Sequence, residues 1–120
     1  MKSRFLFLVL LFFSHNVLGQ GFYNHEWLIG YWTQPYNTGR MTFDTSSYSY
    51  TTEVRKMGFW GTQGNICDAQ GNFLMSSNGV WIANANNDTM LNGSGLNPGY
   101  FVNAWPNGSL ITNGNFFIPT

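Results

Sequence analysis

The chain has 120 residues, of which 8% are charged, against about 25% in a typical globular protein; Asn, Gly, Ser and Thr supply much of the polarity. Beyond residue 19, Arg40, Arg55 and Lys56 stand against Glu26, Asp44, Glu53, Asp68 and Asp88, a net charge of −2. Without a basic patch there is no electrostatic footprint for nucleic acid or anionic lipid, and both are excluded as partners.

The chain opens with Lys2 and Arg4, continues through the apolar run Phe5 to Phe13, and reaches the small-residue pattern Val17-Leu18-Gly19. This is the three-part layout of a secretory signal, and it predicts a signal peptide over 1–19 cut between Gly19 and Gln20. The apolar run is about nine residues, short of the roughly 20 that a membrane-spanning helix needs. Export is expected, to the medium or the cell surface, with no membrane span in the mature chain. Residues 20–26 then form a mature N-terminal segment, and 27–120 are enough for one small domain.

No window places apolar residues at helical spacing, whereas period-two alternation recurs, so the predicted class is all-β, built of antiparallel hairpins or a meander. Trp27 to Trp32 is apolar on both faces and predicts a covered, central strand. In Arg40 to Thr45, Met41 and Phe43 share one face. After Ser46-Ser47, Tyr48, Tyr50, Thr52 and Val54 alternate with Ser49, Thr51, Glu53 and Arg55, and the two runs predict a half-exposed hairpin.

A second hairpin is expected where Asn65-Ile66-Cys67 enters Asp68-Ala69-Gln70-Gly71-Asn72 and leaves through Phe73-Leu74-Met75. Asp68 can bond the backbone two residues on, and Gly71 tolerates positive φ. A further turn at Asn78-Gly79 leads into Val80 to Ala83, again apolar on both faces and expected to be central. Asn84 to Pro98 reads as a long surface loop. Strands are expected at Tyr100–Ala104 and Ser109–Thr112 around Trp105-Pro106-Asn107-Gly108, then at Phe116–Ile118. Ending on an apolar strand predicts pairing partners beyond Thr120 and open strand edges prone to association.

The order Trp27-Leu28-Ile29-Gly30, Arg40 to Asp44, Asp68 to Leu74, Asn78-Gly79-Val80-Trp81-Ile82 and Met90 to Leu96 resembles the N-terminal part of large secreted Bacteroidetes proteins. Those proteins often carry a C-terminal type IX secretion (Por) sorting domain. The resemblance covers roughly Trp27 to Ile118 and implies the first one to two blades of a β-propeller-like module, incomplete at its C-terminus. It also makes Asp88-Thr89-Met90 similar to the short O-glycosylation motif of such exported proteins, with Thr89 the acceptor.

Catalytic chemistry finds little support. His25 is the sole histidine after residue 19, Cys67 has no second cysteine to pair with, and the carboxylates are scattered through separate strands and turns. Cys67 reads as a small buried apolar residue. No catalytic, metal or cofactor-binding residue is assigned. The tryptophans carry two readings. They can form the core, as aromatics in small β domains do, or Trp60, Trp81 and Trp105 can contact sugar faces. The function expected is an exported structural or interaction module without catalytic activity, its partners glycans or other cell-surface proteins. The alternatives are a carbohydrate-binding or adhesion module, or the non-catalytic start of a larger secreted hydrolase.

Overall fold

The computed structural model describes residues 21–30, 37–112 and 114–119. Its elements are β1 (Glu26–Gly30), β2 (Asn37–Phe43), β3 (Tyr48–Val54), β4 (Gly64–Cys67), β5 (Phe73–Ser77), β6 (Ile82–Asn84) and a short helix α1 (Tyr100–Ala104). The signal segment and its cut between Gly19 and Gln20 lie outside the described residues. The strands form two antiparallel sheets of three, ordered β1-β2-β3 and β4-β5-β6. Apart from α1 the regular structure among the described residues is all β. No helix among the described residues is long and apolar enough to cross a membrane.

The first sheet is a meander whose register runs from Glu26↔Thr42 to Gly30↔Thr38 and from Asn37↔Val54 to Phe43↔Tyr48. The β2–β3 turn closes where the Asp44 N–H donates to Ser47 O at 2.8 Å. The Asp44 carboxylate accepts the Thr45 N–H at 2.8 Å, the local bonding that favours Asp in turns. β1 is an edge strand, not the covered central strand expected from Trp27 to Trp32. Only Leu28 of its apolar side chains is buried, while Trp27 and Ile29 are exposed; Tyr31 and Trp32 fall outside the described residues.

The edge of β1 meets β4 through side chains. The Leu28 N–H donates to Asn65 Oδ1 at 2.9 Å, and Asn65 Nδ2 donates to Glu26 O at 2.7 Å. The Asn65 amide thus takes the place of a peptide group on a neighbouring strand and satisfies edge groups on either side of Trp27. Gln63 extends the seam by accepting the Gly30 N–H at 3.2 Å.

In the second sheet, β4 and β5 pair with a register shift at Ile66/Cys67. Their turn is organised by Asp68, which accepts the Gln70 N–H at 2.9 Å and the Asn72 N–H at 2.8 Å. Gly71 sits at φ 88°, where a side chain would be strained. The Asn72 bonds, those of its side chain foremost, hold the Asp68 carboxyl below its ordinary range. After β5, Asn78 is fully buried and uses both ends of its amide. Nδ2 donates to Gly58 O at 3.0 Å and Asn107 O at 3.2 Å, while Oδ1 accepts the N–H groups of Val80 and Trp81 at 3.1 and 3.2 Å.

That amide bonding bends residues 78–81 and keeps Val80 and Trp81 out of the ladder, so the expected strand Val80–Ala83 is reduced to Ile82–Asn84. It is also not central. β6 ends the sheet, and its outer side is covered by the Asn-rich loop: the Met90 N–H donates to Ile82 O at 3.0 Å, the Ile82 N–H donates to Gly93 O at 2.7 Å, and Ala83 bridges Thr89. The loop has its own order, with Asn87, Asn92 and Asn97 at φ 64°, 60° and 49°. Asparagine tolerates this left-handed region better than other side chains do.

Three expected strands are absent among the described residues. Tyr100–Ala104 is helical, with the Asn103 N–H donating to Gly99 O at 3.0 Å. It stops before Trp105, whose position ahead of Pro106 disfavours further helix. Ser109–Thr112 is pinned irregularly: one carbonyl, Ser109 O, accepts both the Gly61 and Thr62 N–H groups at 2.9 Å. Phe116–Ile118 forms no ladder. The core lies between the sheets, where Leu28, Met57, Phe59 and Ala83 are buried and Phe73 and Trp81 pack against them.

Candidate functional site

The first sheet alternates in the opposite sense to an ordinary surface sheet. From the register, Glu26, Leu28, Thr38, Arg40, Thr42, Ser49, Thr51 and Glu53 share one face, turned toward the second sheet. Trp27, Ile29, Asn37, Gly39, Met41, Phe43, Tyr48, Tyr50, Thr52 and Val54 share the other. The inward face therefore carries the charges, and the outward face carries none.

The inward charges form one network. Arg40 donates to Glu53 at 2.9 Å and pairs with Glu26, and Arg55 donates to Glu53 at 2.6 Å. Burial alone would raise the Glu53 carboxyl, but the bonds from Arg40 and Arg55 outweigh it and hold the group below its ordinary range. Desolvation likewise opposes the Arg40 charge and is overcome by Glu53 and Glu26, leaving its pKa above the usual value. Both guanidiniums lie over Phe73 of β5, 4.9 and 5.2 Å from the ring centroid, a cation–π contact that joins the two sheets. Arg55 is buried, and its Nε and Nη2 have no hydrogen-bond partner among the described residues.

The outward face is aromatic and open. Tyr48 is 69% exposed, Tyr50 59% and Trp27 51%. Trp27 meets Phe43 edge-on, with centroids 4.9 Å apart and planes at 64°. Tyr50 lies over Gly39 of the adjacent strand: a Cβ there would come within 2.6 Å of the Tyr50 ring and its hydroxyl. The end of the Tyr50 side chain thus occupies the space that a side chain at position 39 would take. At the hairpin end a cleft of about 320 Å³ is lined by Thr42 and Ser49 of the inward face together with His25, Asp44, Ser47 and Tyr48.

The tryptophans singled out from sequence lie elsewhere. Trp60 and Trp105 meet at a small cleft of about 130 Å³ with Ala104, Pro106 and Asn107, and Trp105 stacks on Phe101 at 6.2 Å. Trp81 packs on the core and does not join them. Asp68, Gly71, Asn78 and Gly79 are structural: the first two shape the β4–β5 turn, and Gly79 has φ 81° beside the Asn78 amide. Thr89 is exposed next to Asp88, which pairs with Lys56. Cys67 is buried and unpaired, and burial pushes its thiol up, away from reactivity. Among the described residues no group of three or more His, Cys, Asp or Glu side chains could hold a metal ion.

Sequence reasoning did not single out Trp27 and Tyr50 as surface residues of interest. The alternation of β3 was legible, but Glu26, Arg40 and Glu53 come to share a face only through the cross-strand register. No protein-family model matches the chain, and no curated protein or solved structure matches it either.

Proposed function

We propose that this chain is an exported interaction module, without catalytic activity of its own, whose working surface is the outward face of the first sheet. One observation carries the reading: the sheet turns its charged residues inward and holds an uncharged, ring-rich face to solvent. Leaving large apolar side chains in water stabilises nothing in the isolated molecule, and contiguous apolar patches of this kind mark binding surfaces. Export rests on the charged start, apolar run and small-residue end of residues 1–19. A double variant, Tyr48→Asp with Tyr50→Asp, tests the reading in the producing cell. The variant should fold, leave the cell as the parent does, and lose retention at the cell envelope. Unchanged retention would remove the face from function, and failure to fold would make it part of the core.

As a competing reading, we propose that the two sheets are the opening one to two blades of a β-propeller-like module, in which case a neighbouring blade covers the outward face. The support is that each is a short antiparallel meander, and that the outer strand of the second gains a further bridge at Ala83–Thr89. Reading the gene beyond codon 120 tests this. Further short alternating strands would support it, and an immediate stop would oppose it.

A further inference from the structure

We infer that the open edge of β3 pairs with the same edge of a second copy of the chain, joining two first sheets into one continuous sheet. The inference concerns the hydrogen-bonding edge and does not depend on what covers the outward face. The edges of the molecule are treated unequally. That of β1 is capped by Asn65 and Gln63. β4 meets Tyr23, whose carbonyl accepts the Cys67 N–H at 2.9 Å, and the Asn-rich loop covers β6. β3 ends its sheet with no such cover among the described residues.

The turn before β3 tells which way its backbone groups point. Because the Asp44 N–H donates to Ser47 O, the alternation of an antiparallel ladder aims the groups of Ser49, Thr51 and Glu53 at β2. Those of Tyr48, Tyr50, Thr52 and Val54 point away from it and meet no partner among the described residues. The strand contains no Pro, Lys or Gly and no bulge, and every residue but Glu53 is exposed. Natural sheets blunt such edges, and one left straight is a template for another strand.

The sequence of β3 chooses the occupant. Laid antiparallel on itself about a two-fold axis through Thr51, it sets Tyr50 opposite Thr52 of the second copy and Tyr48 opposite Val54 of the second copy. These are the positions whose groups point outward, so the whole row bonds at once. Moving the axis to Tyr50 or Thr52 keeps the parity but leaves Val54 or Tyr48 with no strand residue opposite. The centred register places rings beside β-branched side chains, Thr51 beside its own copy and Ser49 beside Glu53, with no like charges opposed. An inward charge such as Glu53 can guard an edge. Here Arg40 and Arg55 already neutralise it, and the facing Ser49 hydroxyl can donate to it. A two-fold contact closes on itself, so assembly stops at two chains.

The test is sedimentation equilibrium of the purified chain from about 1 μM to about 1 mM, where the mass should rise from one chain toward two. Thr52→Pro removes an N–H that β2 does not use. It should weaken association at least about tenfold and melt with the parent at the dilute end. Two cysteine variants read the register. Thr51→Cys sits on the axis, where facing Cα atoms lie about 4.5 Å apart, and should give a disulfide-linked dimer under mild oxidation. Ser49→Cys, on the same face, would lie about 13 Å from its copy and should not link. A chain still monomeric at the highest concentration leaves the edge to a strand of some other protein and overturns the inference. So does a dimer that survives Thr52→Pro in a folded chain, because its contact is then elsewhere. If Thr52→Pro fails to fold, the cysteines decide: linkage through Thr51→Cys alone upholds the inference, and equal or absent linkage in the two variants overturns it.

Discussion

In the first sheet the inward face carries Glu26, Arg40 and Glu53 among neutral hydroxyl residues, and the sheet holds its place through arginines laid over Phe73. In the second, the buried polar groups are neutral: Ser76, Ser77 and Asn78, with Thr62 beside them. The two arrangements respond differently to change. A neutral amide such as Asn78 has all its bonds inside the protein, so losing it leaves several backbone groups unpaired. A charged network is more tolerant where water still reaches it, as at Glu53, and it responds to pH. Region by region, the second sheet is the part that must be intact for folding, and the first is the part that can be decorated on its outer face.

Removing Asn78 should break this contrast most severely. Asn78→Ala deletes bonds to Gly58 O and Asn107 O and from the Val80 and Trp81 N–H groups, and it should cost about 3–4 kcal/mol. A denaturant midpoint would show it, and a loss under about 1 kcal/mol would mean that these groups find other partners. The charged network should give a smaller effect. Glu53→Gln removes the carboxylate that faces Arg40 and Arg55 and should cost about 2 kcal/mol near neutrality, less than a fully buried pair because Glu53 is partly solvated.

Acid sharpens the same point. Because the folded-state pKa of Glu53 is depressed, its contribution is complete above the unfolded value near 4.3 and is lost as pH falls through the folded one. Thermal melts should therefore fall as pH drops below about 5. Asp68 is depressed too and acts with the same sign, so Glu53→Gln and Asp68→Asn should each flatten part of the slope. A slope unchanged in both variants would place the acid sensitivity elsewhere. The smallest effect is expected on the outer face, where Tyr48→Ala should shift stability by no more than about 0.5 kcal/mol.

The sequence made some of this legible. Alternation through Tyr48 to Val54 and the polar break at Ser46-Ser47 mark the first hairpin, and Asp68 with Gly71 marks the second. Orientation was harder to read, since period two says which residues share a face but not which face turns in. Here the charged face is the one that meets the second sheet, with Arg40 and Arg55 laid over Phe73, a long-range contact that no local pattern announces. Val80 to Ala83 looked like a covered strand because its composition is apolar. The Asn78 amide, a contact within the turn itself, draws half of it out of the ladder. Tyr100 to Ala104 shows neither strong helical nor strong strand periodicity, and a single turn of helix leaves almost no pattern to find. The site was missed for a related reason: Trp60, Trp81 and Trp105 drew attention, whereas the exposed face gathers Trp27, Tyr48 and Tyr50 from separate strands through the register.

Hydroxyl-radical footprinting of the folded chain, read by mass spectrometry, tests the central claim most directly, because that claim concerns which face of the first sheet meets water. The account predicts rapid labelling of Trp27, Tyr48 and Tyr50, with Met57 and Phe59 protected until the chain unfolds. Protection of Tyr48 and Tyr50 in a monomeric, folded chain would contradict it, because the aromatic face would then be core.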